Sequence, residues 1–244
     1  MLTIDQLTGG YGTVPVLKNV NFSVADGTIV GLIGLNGAGK STTIKHIIGL
    51  LTPLSGTITV AGHTLADDAE AYRRAIAYVP ETPVLYPELT LKEHLDLTIM
   101  AYDLDYKRAW AQADELLERF RLANKLDWFP DNFSKGMKQK VMIVAAFITS
   151  AQLFIIDEPF TGLDPLAVHD LLDLVQAKKA EGASVLMSTH ILATAQQYAD
   201  SFVLLKDGQV RATGDLPALK SQFGLADANL DDIYMAMTEE GKHA

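Results

Sequence analysis

A chain of 244 residues, 48% of them apolar, is long enough to bury a sizeable core as one large α/β domain or two small ones. Its formal charge of −10 disfavours a nucleic-acid partner, because affinity for a polyanion rests on clustered Lys and Arg that release counterions. The chain contains no cysteine, so it has neither a disulfide nor a thiolate metal site, and its longest apolar run, Val141 to Ile148, falls far short of the roughly 20 residues that span a bilayer.

The opening MLTIDQL carries an acid early and lacks a basic-then-apolar signal pattern. Leu2 to Leu7 and Leu17 to Val24 read as strands separated by a turn at Gly9-Gly10-Tyr11-Gly12. Thr28 to Ile33 reads as a buried strand that runs straight into a glycine-rich loop, and Ser41 to Leu51 as the helix after it. Thr57 to Val60 and Ala75 to Val79 are the next strands. Pro80, Pro83 and Pro87 then stop either element from continuing, which marks a hinge. From Thr90 to Thr149 the apolar period becomes helical, with Leu91, Leu95 and Thr98 on one face, Leu116, Leu117 and Phe120 on another, and a third helix after Ser134. An inserted helical subdomain over about 84–150 is expected. Next come a strand at Leu153 to Ile156, a helix from Pro165, a strand at Ser184 to Met187, a short helix and a hairpin at Asp207-Gly208. This alternation predicts an α/β fold around a mostly parallel sheet covered on both faces. The tail, 215–244, holds helical candidates at Leu216 to Phe223 and Leu230 to Met237.

The chemistry starts in the loop Gly34-Leu35-Asn36-Gly37-Ala38-Gly39-Lys40-Ser41-Thr42. Its glycines let the backbone approach phosphate closely, its N–H groups and the following helix N-terminus offer partial positive charge, and Lys40 adds a full one. Ser41 is placed to ligate Mg²⁺, so the loop predicts binding of ATP with magnesium. The plainer alternative is a glycine-rich turn before an ordinary helix. Further on, the apolar strand Leu153-Phe154-Ile155-Ile156 ends in Asp157-Glu158, which sets two carboxylates at the edge where ligands of parallel sheets gather. Asp157 is suited to magnesium and Glu158 to orienting or deprotonating water, although a surface turn would also accept this pair. The six histidines are scattered, with no pair at metal-ligand spacing.

In order along the chain, the phosphate loop, Phe133-Ser134-Lys135-Gly136-Met137-Lys138-Gln139, Asp157-Glu158, Thr161-Gly162-Leu163-Asp164 and Ser188-Thr189-His190 resemble the motif set of the ABC-type ATPases. The set covers nearly the whole chain. The resemblance implies a P-loop NTPase of ABC type, with a mostly parallel sheet core, an N-terminal antiparallel β subdomain and the inserted helical subdomain, forming an ATPase domain over 1–214. It also implies that two copies sandwich two ATP molecules, so that Ser134, Lys135 and Gly136 meet the γ-phosphate bound by the second copy and Asp164 reaches across the dimer. Ser134 and Asp164 serve equally as ordinary helix caps.

Tyr11 matches the aromatic that stacks on adenine, with a plain turn tyrosine as the alternative, and His190 matches the histidine that contacts the γ-phosphate. Three positions depart from the usual pattern. Lys135 replaces a glycine, Met137 a glutamine, and Glu81, at the hinge, the usual glutamine; as a carboxylate, Glu81 is able to ligate magnesium or accept from water, but not to donate. The implied role is an ATP-hydrolysing subunit at the cytoplasmic face of the cell membrane, working on a separate transmembrane permease and leaning toward export. A soluble ABC-type ATPase uncoupled from transport is the alternative.

Overall fold

The computed structural model describes the backbone of residues 1–240 and side chains as far as Thr238; positions 241–244 of the tail lie outside the described residues. Strand β1 (Leu2–Tyr11) pairs antiparallel with β2 (Val14–Val24) on one side and β4 (Ser55–Val60) on the other. Leu2 and Ile4 point inward and Thr3 and Asp5 outward, until Gln6 takes a left-handed φ of 50° and a register shift brings Leu7 back to the core. The expected turn at Gly9 to Gly12 is shorter than its glycines imply. Gly9 and Gly10 stay in β1, because a Cβ on Gly10 would collide with the Val14 carbonyl and one on Gly9 with the ring of buried His46. These two glycines serve close approach, not reversal.

The second sheet has the order β5-β6-β7-β3-β8-β9, formed by β3 (Ile29–Ile33), β5 (Ile76–Val79), β6 (Leu153–Asp157), β7 (Ser184–Thr189), β8 (Ser201–Lys206) and β9 (Gln209–Gly214). Its strands run parallel apart from the β8–β9 hairpin. Every residue of β3, β6 and β7 is buried, as expected of a sheet covered on both faces. Because β3, β6 and β7 are neighbours running the same way, all three release their chains at one edge. The architecture is therefore α/β, with a mostly parallel core sheet and a separate antiparallel one.

Helix α1 (Lys40–Ile47) follows β3, and a six-residue helix that the sequence reading passed over, α2 (Ala69–Arg74), precedes β5. Asp68 caps α2 by accepting from Ala71 N at 2.9 Å, and its Tyr72 is fully buried with its hydroxyl donating to the Ile47 carbonyl. Three helices then fill the insertion: α3 (Leu91–Ala101), started by a Thr90/Glu93 capping box, α4 (Tyr106–Arg119), capped by Asp105, and α5 (Lys135–Phe147), capped by Ser134. Their inner faces, with Leu95, Leu117, Phe120 and Phe147, merge with Phe154 of β6 into one cluster, so this layer shares its core with the sheet. Arg119 and Arg121 brace it against α6 (Pro165–Ala180) through Asp170 and Asp173. Helices α7 (Leu192–Tyr198), α8 (Leu216–Phe223) and α9 (Leu230–Glu240) form a third cluster with Ile33, Phe202 and Leu204 on the far side.

The β8–β9 turn locks these layers together. Gly208 donates to the Ala38 carbonyl at 3.0 Å and accepts from Lys18 N at 2.8 Å, with φ of 74°. A Cβ at Gly208 would overlap the Val16 carbonyl. Gly208→Ala is expected to cost about 3 kcal/mol, seen in thermal denaturation as a fall in Tm of roughly 6–12 °C.

Candidate functional site

The edge where β3, β6 and β7 end opens into a cleft of about 910 Å³ lined by Tyr11, Leu35, Asn36, Gly37, Gly39, Lys40, Ser41, Thr42, Glu81, Glu158 and His190, together with Val16 and Thr161. Gly34 and Ala38 of the loop lie behind this lining, Ala38 buried against the core. Gly37 and Gly39 take φ of 83° and 109°, values that let the loop curl back on itself; the N-cap of α1 is Gly39, so the helix begins at Lys40 with its free N–H groups toward the cleft.

Lys40 is buried, and its ammonium is held from two sides: Nζ donates to the Gly34 carbonyl at 2.8 Å and pairs with Glu158 Oε1 at 3.3 Å. The other Glu158 oxygen accepts from His190 N at 3.2 Å and from His190 Nδ1 at 2.7 Å. An ionised carboxylate has no proton to give, so Nδ1 is the donor and Nε2 carries hydrogen only when the ring is charged. Glu158 itself sits at φ 45°, unusual for a residue with a side chain. Two contacts hold it there, its N–H meeting the Ser188 carbonyl at 3.2 Å and Ser188 Oγ at 3.0 Å. Ser188 Oγ in turn donates a short hydrogen bond to Asp157 Oδ1. Burial raises the Asp157 pKa above the usual carboxylate range and the Ser188 hydrogen bond opposes that, while Glu81 and Glu158 push it up further and Lys40 pulls it down. Three carboxylates, Asp157, Glu158 and Glu81, thus act on the neighbourhood of one lysine, although among the described residues no three His, Cys, Asp or Glu side chains are grouped closely enough to hold a metal ion by themselves.

Tyr11 stands half exposed at the rim. Lys45 Nζ donates to its hydroxyl at 3.0 Å and lies 5.2 Å from the ring centre, and hydrogen bonds from Lys45 and then Thr42 lower its pKa. The segment Ser134, Lys135 and Gly136 does not line this cleft. It packs instead on the neighbouring loop: a Cβ on Gly136 would strike the Gly162 carbonyl, the Lys135 stem lies over Gly162, and Lys140 pairs with Asp164 at 2.6 Å. That lysine holds the Asp164 pKa low, and Asp164 also caps α6 by accepting from Ala167 N at 2.9 Å. Lys135 therefore fits at a position where the usual pattern has glycine, because its methylenes lie over Gly162, which has no side chain.

Sequence reading left Ser188 and Lys45 without roles. Ser188 was visible, beside Thr189, as a hydroxyl at the end of an apolar strand, but only the pairing of Asp157 with Ser188 across β6 and β7 brings it to the carboxylate. Lys45 lies one turn beyond Ser41 on α1, an i,i+4 relation that places both on one helix face.

The sequence profile described as ABC transporter matches residues 17–161. The chain is 58% identical over 240 residues to the ABC-type transporter ATP-binding protein EcsA of Bacillus subtilis, a match spanning 98% of this chain and 97% of that protein. Among solved structures, an ATP-binding subunit of an ABC transporter superposes with a TM-score of 0.95 at 56% identity, covering 98% of this chain and 99% of that one. The ATP-binding cassette MJ0796, solved as a dimer in a post-hydrolysis state bound to ADP and Pi, superposes with a TM-score of 0.78 at 26% identity, covering 88% of this chain and 99% of that one.

Burying an ionised Asp157 costs stability in the nucleotide-free chain. A carboxyl whose folded pKa is raised binds its proton more tightly folded than unfolded, so this cost is absent below the unfolded pKa and grows as pH rises through the folded one. Asp157→Asn is therefore expected to raise the Tm measured without nucleotide at neutral pH, and thermal scans should show the gap closing as pH falls into the acid range.

Proposed function

The chain belongs to the ABC transporter family as an ATP-binding subunit that hydrolyses ATP, and from that premise we propose that it works as an ATP-closed homodimer driving a separate membrane-spanning permease at the cytoplasmic face of the membrane. The observation that carries the dimer is the division of the site: the phosphate loop, Glu158 and His190 gather at one cleft, with Asp157 buried behind Glu158 and Ser188, while Ser134, Lys135 and Gly136 lie outside it. The helix start at Ser134 then supplies a hydroxyl, N–H groups and the Lys135 charge to the γ-phosphate held by the partner copy. That MJ0796 was solved as a dimer supports the pairing of two copies.

In this reading Tyr11 offers its ring to adenine, and residues 34–42 receive the phosphates. Mg²⁺ bound with ATP would be held by Ser41, Asp157 and Glu81, and supplies charge neutralisation on the phosphates. Arriving γ-phosphate competes with Glu158 for Lys40, which leaves the Glu158 carboxylate free to orient and deprotonate the attacking water. His190, held by Glu158 through Nδ1, directs Nε2 toward the same phosphate and donates to it when the ring carries both hydrogens.

The ATPase domain is taken as 1–214, with the helical insertion over about 84–150 and the tail from 215. The permease, of the EcsB kind, would seat a short helix where the insertion meets the core: Ile48, Leu50, Arg73, Tyr78 and Tyr102 line a groove of about 290 Å³ there, and Leu50 is 69% exposed. Gln139 Nε2 donates to the Pro80 carbonyl at 2.9 Å, so helix α5 pulls directly on the hinge that carries Glu81. Export is the direction favoured by the Lys135 and Met137 departures, and accumulation of cargo in inside-out vesicles carrying both subunits would test it.

Glu158→Gln keeps the oxygen that His190 reaches but removes the base. It is expected to bind ATP, to sediment as an ATP-dependent dimer, and to lose about a thousandfold of the turnover measured by phosphate release. A monomer in saturating Mg-ATP would sink the dimer reading. For the hinge, Glu81→Ala should lower ATPase activity of the isolated subunit and abolish the stimulation of what remains by the permease; unchanged ATPase activity together with equal stimulation of variant and parent would remove Glu81 from both roles.

A further inference from the structure

The tail has no part in the site as described, yet α9 lies against the phosphate loop. Leu230, Ile233, Tyr234 and Met237 seat it in the cluster that contains Ile33, the last residue of the strand feeding the loop. Its start is fixed by Leu230 N donating to Gln196 at 2.6 Å, and near its far end Lys206 Nζ donates to the Met237 and Thr238 carbonyls at 3.3 and 3.0 Å. Between these anchors the buried Tyr234 hydroxyl accepts from Leu35 N at 2.7 Å.

Leu35 N–H and the Gly34 carbonyl belong to one planar peptide unit. The carbonyl end is held by Lys40 Nζ and the N–H end by Tyr234, so the lysine and the tail grip the same peptide from opposite ends. Side chains add little to this grip, since Gly34 has none and that of Leu35 is 61% exposed; a further brace is Ala38 N, which donates to the Leu35 carbonyl at 3.0 Å on the far side of the residue. If the peptide turns, the Gly34 oxygen leaves Lys40 and the ammonium swings toward Glu158 alone. We propose that Tyr234 is a positioning residue for ATP binding, its hydroxyl orienting the Gly34–Leu35 peptide so that Lys40 is presented to the phosphates, and that the C-terminal helix thereby sets the nucleotide affinity of the loop.

Tyr234→Phe removes the hydroxyl and keeps the ring in the cluster. Loss of one net hydrogen bond should raise the KM for ATP about three- to tenfold while kcat at saturation stays within about twofold and Tm is little changed. Ile233→Val, on the same helix face, loosens the packing but keeps the hydroxyl; it should lower Tm and leave KM alone. As a measurement independent of turnover, hydrogen exchange of the Leu35 amide should quicken in Tyr234→Phe and not in Ile233→Val. An unchanged KM and unchanged Leu35 exchange in Tyr234→Phe would overturn the proposal, as would equal rises in KM in both variants, since packing of the tail would then be all that matters.

Discussion

One buried ammonium organises the cleft. Lys40 begins α1 with its charge out of bulk water, and such a group survives only where it is paired and hydrogen-bonded. The Gly34 carbonyl and Glu158 meet that need in the nucleotide-free chain, and each brings a chain of dependents. Behind the carbonyl stand Leu35 and, through its N–H, the C-terminal helix. Behind Glu158 stand His190 and Ser188, and behind Ser188 stands Asp157. A phosphate that takes over Lys40 must disturb this whole set, so occupancy of the loop is felt at the ends of β6 and β7 and in the tail.

The charge balance gives the cleft its second property. With Asp157, Glu158 and Glu81 around Lys40, the site holds more negative charge than it neutralises, and burial already pushes the Asp157 pKa upward. The strained backbone at Glu158 belongs to the same logic, because two hydrogen bonds to Ser188 keep the carboxylate aimed at Lys40 and His190 at a cost of about 1–2 kcal/mol. On the other side of the loop at Thr161, the helical layer is tied to the core by the Gly136–Gly162 approach and the Lys140–Asp164 pair. The segment that begins at Ser134 therefore moves together with the loop that holds Asp164.

Much of the fold could be read from pattern. The buried strands, the three helices of the insertion and the helix pair of the tail followed from apolar periodicity and capping residues such as Thr90, Ser134 and Asp164. The misreadings share one cause. Gly9 and Gly10 look like turn residues because glycine is common in turns, whereas here each makes room for a distant group, His46 and the Val14 carbonyl. Helix α2 is six residues long and held by Tyr72 reaching Ile47, a contact too remote for local propensity to register. How Lys135 is accommodated in place of a glycine was equally illegible, because the path for its methylenes over Gly162 comes from another part of the chain.

What the sequence determined by itself was the local chemistry: a glycine loop that curls, a helix that starts at Lys40, carboxylates at the end of an apolar strand, and their order along the chain. Those features depend on covalent geometry and near neighbours, so they can be read from spacing alone. Tertiary structure decided which of these groups meet. The pairing of Asp157 with Ser188, the grip of Glu158 on Lys40 and the reach of Tyr234 to Leu35 join residues 31, 118 and 199 positions apart. Such contacts are set by strand order and by the packing of whole layers, which no stretch of local sequence specifies.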